Sequence, residues 1–564
     1  MPSDHLGLGP FLSQVRSRAE KFDAEELRAL LLAHAESLEP AARAPFLSIF
    51  TPARASARTA EDRTLLDDIA AFVGRIRGGD YVDGWGWDDD LHDERNWGDE
   101  SWVIEMDELF AHAAAAFLGS DRHLARDAYC ELLDVLGLDD EGGTFCGALP
   151  PDEMLQTDIA EAKARALRLL FETATPAERV DTLAAAFNDW RYVGGPVGLR
   201  DILDTRPEAL PDVDAFAEEW VARFSSQPGR SLQRDERAFL IELASWCDGP
   251  NGVGALARRC REDMPELFVA WVDALAAAGR ERDAAAACTE ALGLVPAFGA
   301  VRAELAERYA PLVEAPGHRV FCASTAWRAA PTAARLRRLA ACCDDATIVA
   351  EADAITAATP PRLVAALLVL AGRIDDASAL LRRSDPLGWS RSDHPGPAVA
   401  PVLLIAATVP DADEADYLPA ATALLTAVDE PDWCELAHAV DPDNDSGLAD
   451  TEALVELSAL LCARAATASS TPDQRARWLS DARAATDTRV AAIVTAKHRG
   501  AYDRAAQLAT AHAEAVAAVD GPSAATAMLI GLRDRYPRHV AFRSALEGAI
   551  RRSPRLSPLP SRRR

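Results

Sequence analysis

Residues Phe268 to Pro296, FVAWVDALAAAGRERDAAAACTEALGLVP, restrict the fold of this chain more than any other stretch. Phe268, Trp271, Val272 and Leu275 recur at the spacing of one helix face, and Gly279 then interrupts. Ala284, Cys288 and Ala291 line one face of a second helix, which Pro296 stops. Bulky side chains on the first helix fill a groove, and small ones on the second let the two backbones approach. The glycine accepts the positive φ of a tight inter-helix turn, and proline cannot continue a helix. The unit recurs with decay. LVAALLVLAGRIDDASALLRRSDP places Gly372, Ala377 and Leu381 at the same offsets and closes at Pro386. AAIVTAKHRGAYDRAAQLATAHAEAV does likewise with Gly500, Tyr502, Ala505 and Ala509. In GPSAATAMLIGLRDRYP, Ala525 and Pro537 have the spacing of Ala284 and Pro296, and FAHAAAAFLGSDRHLARDAYCELLDVLG is a looser copy with Gly119 at its turn. Period-two runs of β-branched residues are scarce, so a sheet has little to be built from.

This spacing resembles the tetratricopeptide repeat, with Phe268 where that family usually has Trp and Trp271 where it usually has Leu. The resemblance implies an all-α fold, an α-solenoid of tetratricopeptide-like helix pairs. Such a right-handed superhelix would hold roughly a dozen pairs of ~34–45 residues, and its concave face would bind a protein segment. The expected organisation is an N-terminal helical segment (1–78), an acidic tryptophan-rich segment (79–108), and a first helical-repeat block (109–247). Central (248–386) and C-terminal (387–550) tetratricopeptide-like repeats follow, and the chain ends in a disordered Arg/Pro tail (551–564). Pro- and Gly-rich stretches at 192–198, 247–254 and 384–397 are the expected separators between blocks.

A second resemblance is carried by GDYVDGWGWDDDLHDE, the helices around AYCELLDVLG, the segment DPLGWSRSDHPGPAVAPVLL, and the ending YDRAAQLATAHAEAV…YPRHVAFRSALEGA. Residues from about 14 to 205 and about 360 to 550 are similar to the helical region that accompanies SWIM-type zinc fingers in bacterial proteins. The zinc-ligand pattern C-x-C…C-x-H of those fingers is absent here, so neither zinc nor nucleic-acid binding through such a finger carries over.

Composition excludes several functions. A formal charge of −30 disfavours DNA and anionic lipid. Lysine is almost absent, Lys21, Lys163 and Lys497 standing against 56 arginines. With no Gly-Lys dipeptide there is no phosphate-cradling P-loop. The run GVGALA, Gly252 to Ala257, matches a dinucleotide fingerprint in letters, but the preceding ERAFLIELASWCDG reads as helix, so a helix-entry turn is expected there. No apolar run is long enough to span a bilayer, no secretory signal is recognisable at the start, and the scattered cysteines form no C-x-x-C pair. Buried reduced thiols and a cytoplasmic address are expected.

Two segments could carry chemistry. Residues 80–108, DYVDGWGWDDDLHDERNWGDESWVIEMDE, hold twelve carboxylates, the single base Arg95, and Trp85, Trp87, Trp97 and Trp102. Three readings compete: a solvated acidic loop pinned by its tryptophans, a docking surface for a basic peptide or domain, and a metal-dependent hydrolase site on Asp88, Asp90, His92 and Asp93. As a docking surface its contact residues would be Trp85, Trp87, Asp88, Asp89, Asp90 and Trp97. The second segment, DPDNDSGLADTE, approaches a calcium loop, with Asp441, Asp443, Asp445 and Glu452 at ligand positions. Ser446 stands where the sharp turn wants glycine and Ala449 offers no ligand, so a plain inter-helix loop is favoured. Asp393-His394 lies in a Pro-Gly loop, where a structural hydrogen bond is expected. The sequence therefore points to a non-catalytic scaffold with a protein partner, and assigns no catalytic, cofactor or metal residue.

Overall fold

The computed structural model describes residues 55–88, 93–119, 121–138, 144–146, 150–226, 234–356, 359–391, 393–408, 418–428 and 455–559. The fold is all-α, with one two-stranded antiparallel hairpin among the described residues. The chain divides into two compact units, Met1–Ala274 and Leu275–Arg564. No described helix is long and apolar enough to cross a membrane.

The first unit contains α1 (Ala55–Gly78), the strands β1 (Val82–Asp88) and β2 (Asp93–Gly98), α2 (Trp102–Leu118) and α3 (Arg122–Leu136). Then come α4 (Pro151–Met154), α5 (Ile159–Thr173), α6 (Arg179–Asp189), α7 (Leu199–Asp204), α8 (Val213–Phe224) and α9 (Arg234–Arg259); α10 (Leu267–Ala277) carries the division between units. Acceptors at helix starts explain where several begin: Asp121 receives the His123 and Leu124 N–H groups, and Asp158 that of Glu161. Trp220 centres an aromatic core, its ring 5.0 Å from Phe239, 5.6 Å from Phe216 and 6.0 Å from Phe187, which ties α6, α8 and α9 together. The stretch 247–254 is no separator. It is a kink inside α9, where Asp248 and Gly249 leave helical geometry and Pro250 re-enters it, and Gly252–Ala257 lies in the helix that follows.

Helix α5 buries two cations that fasten the connections around it. Lys163 Nζ donates to the carbonyls of Trp190 (3.0 Å), Val193 (3.2 Å) and Gly195 (3.0 Å) and pairs with Asp235 at 3.0 Å. Five residues on, Arg168 pairs with Glu172 and donates to the carbonyls of Leu203 (3.2 Å) and Glu208. These carbonyls lie at or beyond the C-terminal ends of α6 and α7, where helices leave acceptors unsatisfied and favour positive charge.

The second unit contains α11 (Glu281–Leu294), α12 (Ala300–Tyr309), α13 (His318–Ala329), α14 (Ala333–Cys342), α15 (Asp345–Asp353), α16 (Pro361–Leu370) and α17 (Ile374–Arg382). It continues through α18 (Gly396–Thr408), α19 (Pro419–Leu425), α20 (Leu457–Ala466), α21 (Pro472–Thr495), α22 (Tyr502–Val519), α23 (Pro522–Arg535) and α24 (Val540–Arg552). From α11 to α14 each helix packs on the next, as helix pairs in a row would. Farther on the packing changes. Helix α18, GPAVAPVLLIAAT, is apolar all round and buried along its length, and α16, α17, α19, α20, α21 and α22 all pack against it. A helix with no polar face must be enclosed, and neighbour-only pairing cannot enclose it.

Two turns repeat one construction. Gly279 (φ +69°) and Gly372 (φ +74°) each return their N–H to the carbonyl three residues back at 2.9 Å. The arginine that follows returns its own N–H five residues back, at 2.9 Å for Arg280 and 2.8 Å for Arg373. Each arginine then begins the next helix and pairs with an aspartate in its first turn, Arg280–Asp283 at 2.8 Å and Arg373–Asp376 at 2.7 Å. The next residue, Ala284 or Ala377, is fully buried. The other copies differ: Gly500 lies in a 3-10 turn while Lys497 takes the left-handed geometry (φ +61°), and Gly119 is extended. Gly372→Ala is therefore expected to destabilise by about 1–2 kcal/mol, and Lys497→Gly to shift stability in the opposite direction. Urea titration of both variants measures this, and equal-signed changes would refute it.

The chain end also departs from expectation. Arg551 and Arg552 complete α24, and Leu556 and Leu559 pack against the apolar core of α21–α24. Glu514 of α22, fully buried, accepts the Ala420 N–H at the start of α19 (3.0 Å) and the Ser553 hydroxyl (2.6 Å), so one carboxylate joins three segments.

Candidate functional site

The acidic segment folds into the β1–β2 hairpin, in which Trp85 lies opposite Asn96, Trp87 opposite Glu94 and Asp88 opposite Asp93. Asp89, Asp90 and His92 lie outside the described residues. A lone hairpin is marginal in water, and this one is fixed at its base. Asp99 N–H returns to the Tyr81 carbonyl at 2.9 Å, and Tyr81 is buried with its hydroxyl on Glu105 (2.8 Å), which Arg75 also contacts. Trp102, fully buried at the start of α2, donates its indole N–H to the Cys146 carbonyl (2.8 Å) and packs on Phe145 at 4.7 Å. Asn96 donates to the Phe145 carbonyl at 3.2 Å.

The tryptophans consequently divide into an anchor and a display. Trp102 is internal, whereas Trp85 is 65% exposed and Trp97 39% exposed. The Trp97 indole lies across Gly86, where a Cβ would sit 3.3 Å from its Nε1. Strand alternation sends Trp85, next to Gly86, to the other face. Aromatic surface is thus offered on both faces, with Asp83 and Asp99 exposed beside it. The hairpin was not expected from the sequence, although Gly84, Trp85, Gly86 and Trp87 alternate in the period of a strand.

A second constellation is the loop 385–396. His394 is buried; its Nδ1 accepts the Gly396 N–H at 2.9 Å, so Nε2 carries the proton and donates to the Asp385 carbonyl at 2.9 Å. Both ring nitrogens are used structurally, as expected for this residue, and burial holds its pKa below the usual histidine value. Trp389 stacks on His394 at 5.7 Å and lies flat on Gly396. Arg489 of α21 closes the cluster, its guanidinium 5.7 Å from the Trp389 centroid and its Nη1 donating to the Pro386 carbonyl at 2.7 Å.

Two thiols are held in the protonated form. Burial raises the Cys130 thiol to about 12 and Cys322 to about 11, so neither is a thiolate near neutrality. None of the nine described cysteines is in a disulfide. Cys288 is buried as expected; Cys342 is instead exposed and Cys343 half-buried, because they fall at the C-terminal end of α14. Among the described residues no three His, Cys, Asp or Glu side chains are grouped to hold a metal ion. Asp441, Asp443, Asp445 and Glu452 lie outside the described residues. A cavity of about 450 Å³ lies between α19, α22 and the end of α24, lined by Pro419, Leu424, Thr510, Glu514 and Arg552, but its buried carboxylate is already engaged by Ala420 and Ser553.

No protein-family model matches the sequence, and no curated protein does.

Proposed function

We propose that this protein is a non-catalytic, cytoplasmic interaction scaffold built on tetratricopeptide-like helix pairs, and that the 82–98 hairpin docks a basic segment of a protein partner. The exposed Trp85 on an anchored acidic hairpin carries the reading. An aromatic side chain held on a fixed backbone loses little entropy on binding, and surrounding carboxylates steer a cationic partner. Trp85 is mostly exposed, so its truncation removes little buried surface.

Trp85→Ala is expected to leave the unfolding transition in place and to weaken the partner complex by about 30-fold, the equivalent of a 2 kcal/mol anchor. Complex formation should also fall steeply with added salt. Affinity capture from the native cell with wild-type and Trp85→Ala protein, followed by titration of the recovered partner, measures both. A partner retained at undiminished affinity would remove the hairpin from the interface.

A further inference from the structure

A hairpin has two outer edges, each a row of backbone N–H and C=O groups that no neighbouring strand satisfies. Here β1 pairs with β2 alone, and no third strand lies beyond it among the described residues. The register is broken between Val82 and Gly84, at the hairpin base. It is then continuous from Gly84, opposite Trp97, to Asp88, opposite Asp93. Asp83, Gly84 and Trp85 are consecutive and all exposed. Successive strand residues face opposite ways, so such a run leaves both faces of β1 open to solvent there, and the edge with them. A Cβ built on Gly84 would meet nothing within 4 Å, so another backbone can approach closely at that point. Strand β2, by contrast, is held to the body of the unit, Asn96 donating to the Phe145 carbonyl at 3.2 Å.

Folded proteins commonly blunt an open edge with proline, lysine or a covering element. Val82–Asp88 reads VDGWGWD and contains neither proline nor lysine. What guards it is negative charge. Residues 80–108 carry twelve carboxylates against Arg95 alone, and Asp83 and Asp99 are among the exposed ones. That charge repels the same edge of a second copy and attracts a cationic strand. The hairpin is also fixed at its base by the Asp99 N–H on the Tyr81 carbonyl and the Tyr81 hydroxyl on Glu105, so the edge is formed before anything binds.

We propose that the outer edge of β1 accepts an extended segment of a partner protein, rich in lysine or arginine, as a third strand. This rests on the hairpin being the docking surface and adds the way the partner is held. Main-chain hydrogen bonds along 84–88 supply the grip, the carboxylates select cationic side chains, and Trp85 is covered by the added strand.

The test is calorimetric titration of the full chain, at fixed ionic strength, with two synthetic peptides. One alternates lysine and valine; the other has the same sequence with every backbone nitrogen methylated. Attraction to an acidic protein is common to both, and only the first can donate backbone hydrogen bonds. Saturable binding of one equivalent of the first peptide is expected, weakened about tenfold or more by methylation and again by Trp85→Ala. Equal affinities that both fall in Trp85→Ala would overturn strand addition and leave the hairpin as a docking surface. Affinities that Trp85→Ala leaves unchanged would remove the hairpin altogether. No saturable heat up to about 1 mM peptide, or a dimer of the full chain in sedimentation that Trp85→Ala dissolves, would also overturn the proposal.

Discussion

Replacing Lys163 by methionine is expected to destabilise the protein by about 3–5 kcal/mol, a large fraction of the stability of an ordinary domain. The ammonium is completely buried and has four oxygen acceptors around it: three carbonyls of the 190–195 connection and Asp235 of α9. Burial pulls its pKa below the ordinary lysine value, and Asp235 opposes that pull. Methionine fills a similar volume but donates nothing, so it strands a nearly buried carboxylate and three carbonyls together. Exchanging Asp235 for leucine in the same chain removes the stranded charge. The double variant should then be more stable than the two single losses predict, by about 1–3 kcal/mol. Urea unfolding followed by tryptophan fluorescence gives all three values. A Lys163→Met loss below about 1 kcal/mol would mean that the pair behaves as a solvated surface bridge.

Acidification should cost about 3 kcal/mol through one histidine. His512 lies in α22 with its Nε2 buried and without a hydrogen-bond partner; burial lowers its pKa to about 4, Arg483 acting in the same sense and Asp487 against it. Above about pH 6.5 the ring is neutral in both folded and unfolded chains and contributes no pH dependence. As the pH falls from there towards 4, the unfolded chain takes up a proton that the folded chain refuses, and stability drops with each step. Below 4 the folded ring also protonates and the slope vanishes. His394, likewise lowered by burial, adds in the same direction. The difference in unfolding free energy between wild type and His512→Leu, measured from pH 7 to 4, isolates this contribution from the carboxylates. Parallel pH profiles in the two proteins would contradict it.

The local elements were largely legible. The Gly-Arg-x-x-Asp turns at 279–283 and 372–376 were visible because a left-handed glycine, a helix start and a small buried residue lie within six positions of one another. The third copy shows the limit of such reading: Gly500 has the right offset, but the preceding helix ends at Thr495 and Lys497, two residues on, takes the left-handed position. The hairpin was missed although Gly and Trp alternate through 84–87, since its strands hold together through Tyr81, Trp102 and Phe145, and Phe145 is some fifty residues away. The enclosure of α18 was hidden for a similar reason. An apolar run announces burial but not the number of helices that provide it.

The sequence by itself determined that this chain is helical, where many of its helices turn, and that its acidic excess gathers with tryptophan at 80–108. Only the tertiary structure decided what the isolated charges do. Lys163 reads as one of three lysines until the fold brings it carbonyls 27–32 residues distant and a carboxylate 72 residues distant. Arg489 reads as one of 56 arginines until α21 sets it against the Pro386 carbonyl, 103 residues away, and the ring of Trp389. Helix periodicity is a property of neighbours four residues apart and is therefore written along the chain. The free energy of a buried charge depends on whatever the fold places around it, and that is decided in space.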